Sequence, residues 1–182
     1  MQKTKLIAQL IPGAMLLLAL STLGGQGQAQ QRERERVRTT SLLRAVCVGS
    51  GPGRWRNDRI NVAIGRGVYT SLMNLNPSNG VASVTCRIRD EDDKPKFKTL
   101  DLGLGMLDSD GGSPDNIVNI YLDGRQAATQ RVTAGQTASL SLDVSNVSNV
   151  AIEATCSTQA LYCGRVYVYK AVLERIPETR KR

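Results

Sequence analysis

Residues 97–153 constrain the fold of this chain more than any other stretch. They read FKTLDLGLGMLDSDGGSPDNIVNIYLDGRQAATQRVTAGQTASLSLDVSNVSNVAIE. Leu100, Leu102 and Leu104 recur at every second position, as do Leu140, Leu142 and Val144, and then Val150, Ile152 and Ala154. A period of two puts such side chains on one face of a β-strand, and no window here repeats at helical spacing. Asp123-Gly124 is a tight hairpin dipeptide between two of the runs. The stretch is therefore a meander of β-strands within one globular domain.

The flanking sequence extends the pattern. A first strand is expected over residues 42–48, then a loop over 49–57 (GSGPGRWRN), where three glycines and a proline oppose regular structure. Residues 60–64 and 68–71 read as two short strands or one bent strand, and 74–80 (NLNPSNG) as a turn. Residues 81–89 alternate, with Ala82, Val84, Cys86 and Ile88 on one face and Ser83, Thr85, Arg87 and Arg89 on the other. The charged run 90–96 (DEDDKPK) breaks the chain before Phe97. The last strand, 165–173, is apolar on both faces, as a central strand covered on each side would be. Nine or ten short strands with turns between them, and no crossover helices, specify an all-β sandwich or barrel and exclude parallel α/β folds.

The chain opens like an export signal. Lys3 and Lys5 precede an apolar stretch, and Gly27-Gln28-Ala29 offers small residues at the positions a signal peptidase reads. Cleavage is expected after Ala29, giving a signal peptide at 1–29. The stretch is interrupted by Gln9, Pro12 and Gly13 and is short for an uncleaved membrane anchor. Residues 30–40 are too charged to bury and read as a flexible arm. The β-sandwich is expected over 41–174, followed by a basic tail at 175–182. What remains after cleavage has the size of one domain, about 150 residues, with no second apolar segment long enough to cross a bilayer. A secreted or periplasmic location follows.

Four cysteines (Cys47, Cys86, Cys156, Cys163) in an exported chain favour disulfides. Cys156 and Cys163 bracket a short turn, which leaves Cys47 with Cys86. This is the most local of three possible connectivities. The chain has no histidine. Ser-His-Asp and Cys-His catalysis, histidine general bases and histidine-ligated metals are thereby excluded. The net charge of +8 suits an acidic polysaccharide or envelope surface outside the cell, or simply solubility. A nucleic-acid partner is not expected for an exported chain.

The order of motifs from Phe97 onward resembles the NPCBM-like carbohydrate-binding modules attached to some glycoside hydrolases. FKTLDLGLGMLDSD is similar to their "rF.a.vGvdd" strand and acidic turn. IVNIYLDG is similar to "v.F.vyaDG", and LSLDVSNVSNV to "v.vdvsGv..L". Residues 166–173 match their closing strand. The likeness covers about half of the mature chain. The first half departs: nothing corresponds to the family's "kGigvHa" segment, whose histidine this chain lacks. The resemblance implies a galactose-binding-like jelly-roll β-sandwich and a glycan ligand.

Sugar sites combine a flat aromatic face with planar polar groups. Trp55 is the only tryptophan. It stands among Arg54, Arg56 and Asn57, either as a platform for a sugar ring or as a plug at one end of the sandwich. Tyr162, between the last two cysteines, is a second aromatic candidate. Asp108, Asp110 and Asp115 in LDSDGGSPD resemble a calcium loop, since hard cations gather several oxygens at one point. The other reading is an acidic, glycine-rich turn. A structural calcium is thus the one cofactor considered. The consecutive carboxylates at 90–93 lack the apolar pocket that raises a catalytic acid's pKa, so no enzymatic role is expected. The sequence points to an exported, non-catalytic module that binds a carbohydrate (a polysaccharide or glycan) or an envelope polymer. The alternative is an envelope adaptor that binds another protein.

Overall fold

The computed structural model describes residues 38–176, apart from 79, 90, 91, 93, 160 and 161. The expected signal peptide, residues 30–37 of the arm, the tail from 177 and three of the four carboxylates at 90–93 lie outside the described residues. No described helix is long and apolar enough to cross a membrane.

The described residues form thirteen strands: β1 (Thr39–Ser41), β2 (Val46–Ser50), β3 (Arg54–Arg56), β4 (Ile60–Ile64), β5 (Gly67–Ser71), β6 (Met73–Asn76), β7 (Val81–Arg87), β8 (Phe97–Gly105), β9 (Asn116–Leu122), β10 (Arg125–Val132), β11 (Thr137–Asp143), β12 (Asn149–Cys156) and β13 (Val166–Arg175). A front sheet has the order β11-β8-β13-β6-β3, with β1 also paired to β13. A back sheet has the order β10-β9-β12-β7-β2, and β4 pairs only with β5. All these strand pairs are antiparallel. The fold is the expected all-β, jelly-roll sandwich.

The period-two runs fill the space between the sheets. Leu100, Leu102 and Leu104 of β8 face Val84 and Cys86 of β7, Val118 and Ile120 of β9, and Val150, Ile152 and Ala154 of β12 across one buried cluster. Each aliphatic side chain of this kind contributes roughly 1.5–3 kcal/mol when fully removed from water. At the β9–β10 hairpin, Asp123 and Gly124 both take positive φ (47° and 78°), as a two-residue turn with the strands' own twist requires.

Strand β13 is covered on both faces. Val166, Val168, Ala171 and Leu173 enter the main core. A register irregularity between Val168 and Lys170 keeps the inward parity on either side of it. On the outer face, the β4–β5 hairpin lies over Tyr167, with Val62 and Ile64 in a second cluster that also takes in Tyr69 and Tyr169. The Tyr69 and Tyr169 rings meet at 4.6 Å. Gly105 makes the approach possible: a Cβ there would stand 2.7 Å from Ile64 Cδ1. The hairpin tip is fixed by Asp108, whose carboxylate accepts from the backbone N–H of Gly65 (2.6 Å) and Arg66 (3.2 Å).

Three sequence expectations are corrected. The first expected strand, 42–48, is broken: Leu42–Arg44 is a 3-10 turn, and the chain resumes as β2. Thr39 and Thr40, assigned to the flexible arm, pair with Glu174 and Leu173. The 49–57 loop contains β3, and β6 runs from Met73 into the 74–80 turn; the two strands pair with each other. Pairing on the front sheet supplies what local propensity lacks at these positions.

Cys47 and Cys86 are directly opposite on β2 and β7 and form one disulfide; Cys156 and Cys163 form the other. The first closes a separation of 39 residues and the second one of 7. Loop-closure entropy then assigns about 4 kcal/mol to the first and about 2 kcal/mol to the second. Urea unfolding of Cys47→Ala/Cys86→Ala and Cys156→Ala/Cys163→Ala should show losses in that order. A larger loss from the second pair would contradict it.

Candidate functional site

Alternation along β3 sends Trp55 inward and Arg54 and Arg56 outward. The Trp55 side chain is partly buried and packs against the main core. Its indole lies across Gly49 of β2, where a Cβ would overlap Cδ1 and Nε1. Strands β2 and β3 are edge strands of opposite sheets, so Trp55 closes the gap between the sheets along that edge. This is the plug geometry. Trp55→Ala should lower the unfolding free energy by about 2–4 kcal/mol, read from thermal or urea melting. An unchanged melting temperature would mean that the indole contributes nothing to closing that edge.

The outward residues form a different arrangement. Arg56 is opposite Asn74 and Arg54 opposite Asn76 in the β3–β6 register. Arg165, just before β13, completes a shallow recess of about 60 Å³ lined by Arg54, Arg56, Asn74, Asn76 and Arg165. Asn74 is 2% exposed and lies at its floor. Its Nδ2 donates to Asp58 Oδ1 at 2.8 Å, which fixes the carboxamide and leaves its oxygen as an acceptor. Three guanidiniums and two carboxamides thus converge, four of them from β3 and β6 and the last from the residue before β13. Guanidinium groups bind carboxylates through paired N–H donors, and carboxamides offer a donor and an acceptor together. The volume is close to that of two waters in the liquid, each about 30 Å³. It suits a single carboxylate or hydroxymethyl group with the rest of a ligand lying across the rim.

Of the residues singled out from sequence, Arg54 and Arg56 enter the recess. Asn57 is exposed just beyond β3 and does not line it. Tyr162 is 65% exposed on the loop closed by the Cys156–Cys163 disulfide and does not line it either. Asn74, Asn76 and Arg165 were missed. The signal for the asparagines was present: Met73 and Leu75 alternate with Asn74 and Asn76, a strand pattern concealed by the following Pro-Ser-Asn-Gly. Nothing around Arg165 marks it.

The three aspartates of the supposed calcium loop have separate partners. Asp108 holds the β4–β5 turn, and Asp115 pairs with Arg131 at 2.9 Å. Asp110 lies against Gly164. Among the described residues no three such side chains gather where they could hold a metal ion. Burial pushes the Asp110 carboxyl up from its ordinary 3.8, against the opposing pull of a backbone hydrogen bond at Leu107 and the Arg165 charge. An acid with a raised folded pKa contributes its stability below the unfolded value and loses it as pH climbs through the folded value. Asp110→Asn should therefore raise the melting temperature at pH 7, and the gain should close below about pH 3.8. A gain that persists in acid would rule out this charge-burial cause.

No family model matches the chain. No curated protein matches it. Solved structures do. The CBM51-2 and INT domains of Clostridium perfringens ZmpB superpose with a TM-score of 0.60 at 14% identity, over 75% of this chain and 31% of theirs. This chain thus spans about a third of that structure. The CBM51 of Clostridium perfringens GH95, solved in complex with methyl-galactose, gives 0.59 at 9% identity over 75% and 99% of the two chains. The K1 cleaved adhesin domain of Lys-gingipain (Kgp) from Porphyromonas gingivalis W83 gives 0.52 at 9% identity over 79% and 99%. These likenesses show a shared fold, a β-sandwich of the kind found in the CBM51 modules, as the sequence resemblance implied. The NPCBM family itself is not shown by them.

Proposed function

We propose that this protein is an exported, non-catalytic carbohydrate-binding module whose ligand is an acidic sugar. The observation that carries the reading is the recess between β3, β6 and Arg165. A uronate-type carboxylate there meets Arg54, Arg56 and Arg165, and neighbouring hydroxyls meet Asn74 and Asn76. The neutral sugar of the GH95 structure has no group that requires three guanidiniums, so this chain should prefer a charged one. The lining has no aromatic side chain. Affinity for one sugar unit should accordingly be weak and electrostatic, and the two disulfides fit an oxidising compartment.

A second reading, an envelope adaptor that pairs with another protein, is favoured by strand β2. It is the edge of the back sheet and exposes Val46 (66%) and Val48 (65%). An exposed edge strand is a template for an added strand.

Isothermal titration with galacturonic acid and with galactose separates these readings. Arg54→Gln/Arg56→Gln, at two exposed positions, should weaken galacturonate binding at least about 10-fold, equal to 1.4 kcal/mol, with the melting temperature within a few degrees. Galactose should bind more weakly than galacturonate to the unaltered protein. Equal affinity for both sugars, or galacturonate binding indifferent to these substitutions, would contradict the proposal.

A further inference from the structure

A larger cleft lies at the other end of the sandwich. Its volume is about 490 Å³, within the roughly 300–1,000 Å³ range of small-ligand sites. It opens between the N-terminal end of β2, the C-terminal end of β7, β1 and the end of β13. Arg165 of the recess precedes β13, whereas Arg175 of the cleft is its last residue. Ten strand residues at about 3.3 Å each place the two sites about 30 Å apart.

The charged side chains of the described lining are all cations. Arg44, Arg87, Arg89, Lys96 and Arg175 line it, and no carboxylate of the described residues does. Arg44, Arg87 and Arg175 make no ion pair among the described residues. The Arg175 guanidinium lies 5.6 Å above the Phe97 ring, which holds its planar fork in place without neutralising it. Like charges do not gather in a concave site without cost, because their mutual repulsion is concentrated there. An anion entering the cleft relieves that repulsion. The acidic run at 90–93 lies between Arg89 and Lys96 in the chain, so Arg44, Arg87 and Arg175 are the cations on which an anion would depend.

We propose that this cleft is a second binding site, for an oligosaccharide segment carrying carboxylate or sulfate groups on successive sugars. Several cations distributed around one cleft match several anions spaced along a ligand, whereas the small recess suits one. A single-stranded nucleic acid would want exposed rings on which bases stack, and the only aromatic side chain here, Phe97, is 8% exposed and covered by Arg175. The site does not depend on the recess for its ligand. A chain long enough to reach both would bind with the two sites acting together.

The test starts from the full chain carrying Arg54→Gln/Arg56→Gln, so that the recess is silenced. Titrants are tetragalacturonate, a sulfated chondroitin tetrasaccharide, neutral tetragalactoside and a single-stranded DNA octamer, each at about 50 and 200 mM salt. Expected is saturable binding of one or both acidic tetrasaccharides, weakened at least about 10-fold by adding Arg44→Gln/Arg87→Gln with melting unchanged. Both arginines are exposed, and Arg175→Gln provides an independent variant should that pair perturb folding. Binding of the uronate alone or the sulfate alone identifies which anion the cleft takes. Acidic binding unaffected by the arginine substitutions, no acidic binding at low salt, or DNA or the neutral tetrasaccharide bound as tightly, would overturn the proposal. Because the recess is already disabled in this background, failure here does not touch the acidic-sugar reading, and failure of that reading leaves this result intact.

Discussion

The described structure depends on burying β13 on both faces. Its inner side chains, Val166, Val168, Ala171 and Leu173, join the cluster between the sheets. Its outer Tyr167 lies beneath the β4–β5 hairpin. On one edge it pairs with β8, and on the other it pairs first with β6 and then with β1. A polar substitution on either face would leave an unpartnered group in an apolar surround, which costs roughly 1–3 kcal/mol by mutational experience. The hairpin, the front sheet and the sheet-to-sheet core all meet on this strand.

That arrangement also positions both cationic surfaces. Pairing of β6 with the first part of β13 brings Asn74 and Asn76 beside Arg165, and β3 then adds Arg54 and Arg56. Pairing of β1 with the last part of β13 builds one wall of the cleft around Arg175. Arg54, Arg56, Asn74, Asn76, Arg87 and Arg175 project from paired strands, so their spacing is set by sheet register. Such placement holds ligand groups in geometry with little ordering cost on binding.

The second half of the fold was legible because its strands are half-buried in the simplest way. In β8, β11 and β12 each alternate residue faces the core, so a period of two is written directly in the sequence. The two-sided apolarity of β13 was readable for the same reason. The first half was harder. Strands β3 and β6 are short, flanked by glycine, proline and asparagine, and exist because the front sheet pairs with them. The site was half visible. Arg54 and Arg56 attracted attention as neighbours of Trp55, yet strand alternation turns that tryptophan away from them. Asn74 and Asn76 were read as parts of a turn. The three aspartates near position 110 share a short stretch of sequence, but a 3-10 turn and a strand start direct them to different partners.

The central claim is that ligand recognition is carried by the β3–β6 recess. Backbone amide, indole, side-chain amide and guanidinium NMR signals, followed as galacturonic acid is added, examine it most directly. The account expects saturable shifts in the side-chain signals of Arg54, Arg56, Asn74, Asn76 and Arg165, with the Trp55 indole signal nearly still. Saturable shifts confined to Val46, Val48 and the rest of β2, or none at the recess, would contradict it.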